Sequence, residues 1–434
     1  MNKPVNANQE FQSDFLSVTE ARTAISAVIH SIQAQARLHE AIESLPLKEC
    51  LGRILASDVL SPINVPANDN SAMDGFAFNG KELDTAQDPV NLRIAGAIYA
   101  GQTHSPSIQM GECIKVMTGA MMPPNCDTVI PQEFTKSSEE GSITFAKDTV
   151  RAGDNRRLCG EDLQAGKPAI QRGRILKASD IGLAASLGIA KLEVYQRIKV
   201  AILSSGDELC SIGVPLQPGK IYDSNRFSLH ACLSKLGFEI IDCGIVRDTP
   251  DDLRQAFMQA AQKADVIISS GGVSVGEADF TKQIMEELGQ VGFWKIAMRP
   301  GRPMAFGSLK PVSPKTAPTV FFGLPGNPVA VMVTFYQFVR NALLHLNGAL
   351  NPEIPLVSIQ SAEAIRKKSG RTEFQRGILF RDPEGRLLVK STGSQGAGIL
   401  RSMSEADCFM ILHHHQGNIA PGDWVDVEIF DGLL

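Results

Sequence analysis

Residues 265–282 read DVIISSGGVSVGEADFTK and decide the fold of the region around them. The apolar run Val266–Ile268 predicts a short buried strand, and Phe280–Leu288 predicts a helix. Between them stand three glycines and two acids: Gly271, Gly272, Gly276, Glu277 and Asp279. Glycine lets the backbone adopt unusual conformations and approach a ligand closely. This order predicts a site for a phosphorylated ligand and a cation, although a tight turn without a ligand also fits this stretch taken by itself.

Strands and helices alternate on both sides of this stretch. The predicted strands are Lys199–Leu203, Glu239–Cys243, Val266–Ser270, Gly292–Ile296 and Val320–Gly323. The predicted helices are Asn225–Leu236, Pro250–Lys263, Phe280–Leu288 and Pro328–Leu346. Such alternation predicts βαβ units with a parallel sheet, and a ligand crevice at the carboxyl ends of the strands.

The loops after these strands carry the polar residues suited to chemistry. They are Ser204–Glu208, Arg247–Pro250, Gly271–Asp279, Met298–Pro303 and Gly323–Pro328. Glu208, Asp248 and Asp279 are hard oxygen donors of the kind that Mg²⁺ prefers. Arg299 and Arg302 are suited to binding an oxyanion. The alternatives are helix N-caps for the three acids and solvated charges for the two arginines.

Three further loop segments precede this region. They are residues 66–77 with Asp74, residues 117–120 with Thr118, and residues 160–162 with Asp162. Ordinary turns explain each one separately, but three in one small domain suggest a shared site, with a subunit interface as one option. The sequence has no HExxH or P-loop motif, and we expect metal-assisted transfer at an anion rather than a protein nucleophile.

Composition narrows the class of protein. The chain has 434 residues, so we expect several domains, and its 42 basic and 47 acidic residues give a net charge of −5. No overall attraction to nucleic acid is therefore expected. We predict neither a signal peptide nor a membrane span. Eight scattered cysteines favour reduced thiols in the cytoplasm, and the run His413–His415 favours a solvated loop over a metal site.

The predicted fold class is α/β and multidomain: a parallel-sheet domain, small β-rich domains and an N-terminal helical linker domain. Ser17 and Glu20 predict a capping box at the first helix, and a second short helix is predicted at Leu51–Leu60. The predicted boundaries of the later domains are 61–159, 198–347 and 348–434.

Motifs in a fixed order resemble those of the MoeA family, the molybdopterin molybdenumtransferases related to the E domain of gephyrin. The matching segments are NDNSAMDGFA (68–77), MTGA (117–120), GED (160–162), SGDEL (205–209), SGGVSVGEADFT (270–281), MRPGRP (298–303) and GLPGNP (323–328). The resemblance extends from about residue 14 to the end of the chain.

The resemblance implies an elongated homodimer of four-domain subunits, in which residues 14–60 and 160–197 form one discontinuous linker domain. It also implies that the α/β domain has the molybdopterin-binding fold shared with MogA and MoaB. It implies that molybdenum from molybdate is inserted into adenylylated molybdopterin, with release of AMP and a requirement for Mg²⁺. MogA-like proteins and molybdoenzyme maturation proteins are the further partners it suggests. Nucleic acid and membrane are not expected as partners.

The resemblance also implies roles for individual residues. Catalytic roles fall to Asp74, Thr118, Asp162, Glu208, Asp248 and Asp279, the first three facing the partner subunit's α/β domain, and Asp248 and Asp279 also bind the metal. Ligand binding falls to Gly271, Gly272, Ser274, Arg299, Arg302 and Asn327. The chain departs from many relatives at four positions: Arg299 and Arg302 replace lysines, Ala330 replaces a serine, and Phe76 replaces a tyrosine.

Two other functions fit parts of the pattern. One is the MogA-type adenylylation of molybdopterin, against which the additional domains and residues 68–77 argue. The other is a non-catalytic scaffold like gephyrin, against which the retained acids and the absence of a long linker argue.

Overall fold

The structure is a computed structural model that describes residues 15–36, 41–102, 107–138, 141–271, 280–313 and 317–430. The chain divides into two compact units. The first contains the described parts of Met1–Ser57, Gly173–Lys177 and Lys191–Leu434, and the second contains those of Asp58–Arg172 and Ala178–Ala190. The predicted four-domain division is finer than this, and its boundaries remain a prediction.

The described helices are α1 (Val18–Ala36), α2 (Glu82–Thr85), α3 (Ala178–Ser186), α4 (Asn225–Lys235), α5 (Pro250–Lys263), α6 (Phe280–Leu288), α7 (Pro328–Thr334), α8 (Arg340–Leu346) and α9 (Arg401–Ser404). The strands up to residue 222 are β1 (Ile42–Pro46), β2 (Val59–Leu60), β3 (Asn70–Ser71), β4 (Gly75–Phe78), β5 (Val90–Ile98), β6 (Glu112–Val116), β7 (Thr128–Pro131), β8 (Lys136–Ser137), β9 (Ser142–Phe145), β10 (Arg156–Arg157), β11 (Pro168–Ile170), β12 (Lys191–Tyr195), β13 (Lys199–Ser205), β14 (Leu209–Cys210) and β15 (Ile221–Tyr222). The later strands are β16 (Glu239–Val246), β17 (Val266–Ser270), β18 (Gly289–Lys295), β19 (Met298–Arg299), β20 (Pro303–Leu309), β21 (Thr319–Leu324), β22 (Val357–Ser361), β23 (Thr372–Arg381), β24 (Leu387–Ser391), β25 (Cys408–Leu412) and β26 (Trp424–Ile429).

The central sheet of the first unit has the order β16-β13-β17-β21-β20-β18. The neighbours among β16, β13, β17 and β21 are parallel, as predicted. Strand β20 lies outside the predicted strands and is antiparallel to both of its neighbours. The connection from β18 is too short for the crossover that a parallel neighbour needs. Because β20 is antiparallel to both β18 and β21, these two strands run in the same direction. All five predicted loops therefore begin at the carboxyl edge of the sheet.

Alternate residues of the central strands point to opposite faces of the sheet. Val200, Ile202 and Ile268 pack on the face covered by α1, α4, α7 and α8. Ala201 and Ile267 pack on the face covered by α5 and α6. Because both faces are buried, these strands are almost continuously apolar, and this property makes them recognisable in the sequence.

The C-terminal strands of the first unit close into a barrel. Strand β23 pairs with both β24 and β25, and the circle is completed through β22 and β26. Strand β19 adds to this barrel in parallel with β23, so that Arg299 lies opposite Glu373. The loop after β18 is thereby fixed to the barrel as well as to the central sheet.

The second unit is built around a sheet of order β7-β4-β6-β5-β9-β8. Phe76 and Phe78 pack on one face of this sheet, and Ala77 packs on the other. The predicted β-rich character of this region is confirmed.

Local predictions near the N-terminus had mixed outcomes. The capping box is present, because Ser17 N–H donates to Glu20 Oε2 (2.7 Å) and Glu20 N–H donates to Ser17 Oγ (3.2 Å). The helix predicted at Leu51–Leu60 is wrong. Leu55 N–H instead donates to Arg174 O (3.0 Å), and β2 pairs with β11. Pairing with distant segments overrides the weak helical preference of so short a stretch.

The helix predicted at Pro328–Leu346 is present, with a π-helical turn at Phe335–Val339. Among the described residues, this helical stretch is the one whose length and composition would allow it to cross a membrane, and 72% of it is buried within the fold. Burial of this kind is what the core helix of a folded domain shows.

Candidate active site at the carboxyl edge of the sheet

The loop after β13 places Glu208 over the backbone of Gly206. A Cβ added to Gly206 would lie 2.7 Å from Glu208 Oε2, and the φ of Gly206 is +151°. The residue after Glu208 begins strand β14 rather than a helix. The N-cap alternative for Glu208 is therefore wrong.

Asp248 lies in the loop after β16 and does not cap α5 either. Thr249 is the cap, because its side chain accepts a hydrogen bond from Asp252 N–H (3.3 Å). Burial raises the pKa of Asp248, and the negative charges of Asp207 and Glu208 raise it further. The loops after β13 and β16 thus bring carboxylates close enough to repel one another, and a cation would relieve that repulsion.

The glycine loop after β17 is described only at its start. Gly271 donates its N–H to Leu324 O (3.1 Å), and its φ is +91°. A Cβ at this position would lie 2.3 Å from Ser205 O, so only glycine fits. The other predicted ligands of this loop, Gly272, Ser274 and Asp279, lie outside the described residues. Within the described ranges, no three His, Cys, Asp or Glu side chains are grouped to hold a metal ion.

Arg299 lines a cavity of about 240 Å³ between the loop after β18 and the barrel. The polar and charged residues around this cavity are Arg299, Glu363, Arg366, Glu373, Gln375, Arg376, Ser391 and Gln395. Arg376 is only 1% exposed, and its hydrogen bonds go to neutral oxygens, Ser402 Oγ (3.0 Å) and Gly396 O (3.3 Å). Burial lowers the pKa of Arg376 to about 10, and the charge of Arg299 lowers it further. Two guanidinium groups thus lie at this cavity together with the carboxylates of Glu363 and Glu373, and guanidinium groups are suited to binding an anion.

Arg302 has a different environment from Arg299. Its guanidinium carbon lies 5.2 Å from the centre of the Phe15 ring, in a cation–π contact. Arg302 is not among the residues that line the 240 Å³ cavity. The sequence placed the two arginines in one site, whereas it could not reveal Arg376, which comes from the barrel and joins the site only through folding.

Helix α7 supports the same loop. A Cβ on Gly301 would lie 2.7 Å from Thr334 Cγ2, so the loop packs directly on this helix. Ala330 is buried there, and Asn327 precedes the helix as its N-cap residue, exposed and without a side-chain capping bond. Position 330 is thus close to the loop of Arg299. A serine at position 330 would add a hydroxyl group beside this loop.

The second unit brings its three predicted loop segments together. Asp74 Oδ1 accepts hydrogen bonds from the N–H and the Oγ1 of Thr118. Asp162 donates its N–H to Val65 O (3.0 Å). The loop that contains Asp74 is therefore bonded to the segment of Thr118 through Asp74, and the segment 160–162 is bonded to the start of this loop, where Gly160 N–H donates to Pro66 O (3.0 Å). The two hydrogen bonds from Thr118 lower the pKa of Asp74, and the bond from the side chain has a larger effect than the bond from the backbone.

Three family models match successive parts of the chain. They describe the MoeA N-terminal region (domain I and II) at residues 16–188, a probable molybdopterin binding domain at residues 201–345, and the MoeA C-terminal region (domain IV) at residues 358–430. A molybdopterin molybdenumtransferase of Haemophilus influenzae is 42% identical over 393 residues, which are 90% of this chain and 95% of the relative. The chain belongs to the MoeA family.

A further relative and a solved structure agree with this assignment. A molybdopterin molybdenumtransferase of Nostoc is 36% identical over 365 residues, covering 83% of this chain and 82% of the relative. The crystal structure of a molybdopterin biosynthesis MoeA protein from Pyrococcus horikoshii is 25% identical, with a TM-score of 0.75 over 96% of this chain and 100% of that one. The resemblance inferred from the motifs is confirmed.

Proposed function

We propose that this protein is a molybdopterin molybdenumtransferase, which inserts molybdenum from molybdate into adenylylated molybdopterin and releases AMP. The observation that carries the proposal is the cavity in which Arg299 meets the buried Arg376. Membership of the MoeA family supports the choice of substrates.

Molybdate is a tetrahedral dianion, and this cavity suits it. Arginine binds oxyanions through two parallel N–H groups, and attraction to an anion strengthens where water is excluded. Arg376 is buried and Arg299 is exposed, so one guanidinium is preorganised and the other is accessible. We assign molybdate binding to Arg299, with Arg302 as the second arginine of the same loop.

The glycine loop and the neighbouring acids are assigned to the adenylylated pterin. Gly271, Gly272, Ser274 and Asn327 would hold its phosphate groups and pterin. Asp248 and Asp279 would hold Mg²⁺ with Glu208 nearby, and the raised pKa of Asp248 fits a site that needs a cation. When bound, Mg²⁺ neutralises phosphate charge and polarises the phosphoanhydride. The protein groups orient the phosphates and hold the anion beside them.

We further propose that the protein acts as a homodimer in the cytoplasm. In this proposal, Asp74, Thr118 and Asp162 of one subunit face the α/β domain of the other. All eight cysteines are free thiols, which agrees with a reducing compartment. MogA-like proteins would supply the substrate, and molybdoenzyme maturation proteins would receive the product.

Reconstitution of a molybdenum-free apoenzyme tests this function. Purified protein, adenylylated molybdopterin, molybdate and Mg²⁺ are expected to restore the activity of the apoenzyme, and Arg299→Gln should restore much less. Consumption of ATP with unadenylylated molybdopterin would indicate an adenylyltransferase instead. Failure to restore activity, without consumption of either substrate, would favour a scaffold.

A further inference from the structure

The cavity beside Arg299 contains carboxylates as well as guanidinium groups. Among the described residues that line it, the titratable ones are Arg299, Glu363, Arg366, Glu373 and Arg376. Guanidinium groups keep their protons at neutral pH. The two glutamates are therefore the side chains of this lining that can exchange a proton with a bound substrate.

The proposed reaction requires proton transfer at the bound anion. When the enedithiol of molybdopterin captures molybdate, two Mo–S bonds form and one Mo–O bond breaks. Both thiol protons leave with the released oxygen as water, molybdenum keeps its oxidation state, and the total charge is unchanged. A side chain that takes protons from sulfur and gives them to the departing oxygen accelerates such a step by general acid–base catalysis.

Glu373 is already engaged by protein donors. It is 3% exposed, and its Oε1 accepts hydrogen bonds from Arg371 Nε (2.8 Å) and Nη2 (2.7 Å). Its Oε2 accepts from Gln375 Nε2 (3.1 Å). Both oxygens thus face donors from the barrel, and Glu373 serves to hold these two neighbours in place.

Glu363 has one oxygen fixed and the other available. Its Oε1 accepts a hydrogen bond from Ser391 N–H (2.7 Å), at the end of β24. Within the described ranges, no hydrogen bond or ion pair engages its Oε2, and the residue is half-buried at the cavity. The first oxygen anchors the carboxylate, and the second is free to accept a proton.

We propose that Glu363 is a catalytic residue, the proton carrier for molybdenum insertion. Its Oε2 takes a proton from a thiol of molybdopterin and passes it to the molybdate oxygen that departs as water. A second transfer delivers the other thiol proton, and the carboxylate is regenerated. The inference rests on the proposed function, because it assigns a role in the same anion site. A negative charge weakens the binding of an anion, so the reaction explains this carboxylate better than affinity does.

Glu363→Gln and Glu363→Asp separate proton transfer from structural support. Glutamine keeps the length of the side chain and an oxygen for Ser391 N–H, but it cannot carry a proton. Aspartate keeps the carboxylate and shortens the side chain. The rate of molybdenum insertion is measured at saturating adenylylated molybdopterin, molybdate and Mg²⁺. Glu363→Gln should lower kcat about 100-fold, and Glu363→Asp should lower it by no more than about 10-fold.

Molybdate binding provides the second measurement. In calorimetric titration with molybdate alone, the Kd of Glu363→Gln should not rise above that of the wild type, because the change removes a negative charge from the site. The control is Glu112→Gln in the second unit. Glu112 is also half-buried, and its Oε2 accepts from Gln109 N–H (3.0 Å) at the start of β6, whereas Thr118 follows the end of this strand. The control should match the wild type in both measurements.

The order of the two variants decides between the roles. A loss of kcat in Glu363→Asp as large as in Glu363→Gln, or larger, would indicate structural support and overturn the inference. Unchanged kcat in Glu363→Gln, or a loss of kcat with an equal weakening of molybdate binding, would overturn it as well. In each of these cases the wild type still inserts molybdenum, and the proposed function stands. A wild-type protein that neither binds molybdate nor inserts molybdenum would overturn both.

Discussion

Thr118 donates two hydrogen bonds to the same carboxylate oxygen of Asp74, one from its backbone N–H and one from its hydroxyl, and each is 2.7 Å long. The two residues are 44 positions apart in the sequence. The bonds favour the ionised form of Asp74 and fix the orientation of its carboxylate. The two motifs that contain these residues therefore form one structural unit.

Replacement of Thr118 by valine tests that unit. Thr118→Val keeps the side-chain shape and removes the hydroxyl, so the pKa of Asp74 should rise toward its ordinary value. NMR titration of the carboxyl carbon measures this change. We expect AMP release to fall about 10-fold. Thr118→Ser retains the hydroxyl and should behave like the wild type, and an equal loss in both variants would contradict the assignment.

The two arginines of the loop after β18 should differ in their effects. Arg299 is exposed at the cavity that contains Arg376, so Arg299→Gln should raise the KM for molybdate at least 10-fold, a loss of about 1.4 kcal/mol. Arg302 lies against Phe15, so Arg302→Gln should have a smaller effect. Steady-state kinetics at saturating adenylylated molybdopterin give both values. A larger effect at Arg302 would show that the anion binds elsewhere.

From the acidic residues at the carboxyl edge, we predict that the affinity for Mg²⁺ depends on pH. The pKa of Asp248 is raised, so on acidification it is protonated at a higher pH than an ordinary aspartate, and we expect the proposed affinity for Mg²⁺ to fall there. Asp207→Asn removes a nearby negative charge and lowers the pKa of Asp248. The acidic fall in Mg²⁺ affinity should therefore move to lower pH, as measured by calorimetric titration with Mg²⁺. A shift to higher pH, or none, would contradict the proposed coupling.

Gly271 can be tested against a glycine of similar backbone conformation. The φ of Gly271 is +91° and that of Gly213 is +86°, but a Cβ has nothing within 4 Å at Gly213 and meets Ser205 O at Gly271. Gly213→Ala should lower the free energy of unfolding by about 1 kcal/mol through backbone strain. Gly271→Ala should lower it by about 2–4 kcal/mol because the clash is added. Denaturant titration measures both, and equal losses would show that close packing at Gly271 is unimportant.

The sequence predicted the parts of this protein that repeat a local pattern. Helix α5, strand β17 and helix α6 have the predicted boundaries, because apolar periodicity and the Thr249-Pro250 start are local signals. The sequence did not predict β20, since an antiparallel strand between two parallel ones depends on a short connection. The sequence also did not predict that Arg299 and Arg376 line the same cavity. This arrangement arises only when the barrel packs against the loop after β18.

The most direct test of the central claim is the dependence of AMP release on molybdate. Purified protein is incubated with adenylylated molybdopterin and Mg²⁺, with and without molybdate. AMP is measured by chromatography and bound molybdenum by mass spectrometry. We predict that AMP appears together with molybdenum in the pterin product, in equal amounts, when molybdate is present. AMP release at the same rate without molybdate, or molybdenum-free product in its presence, would contradict the account.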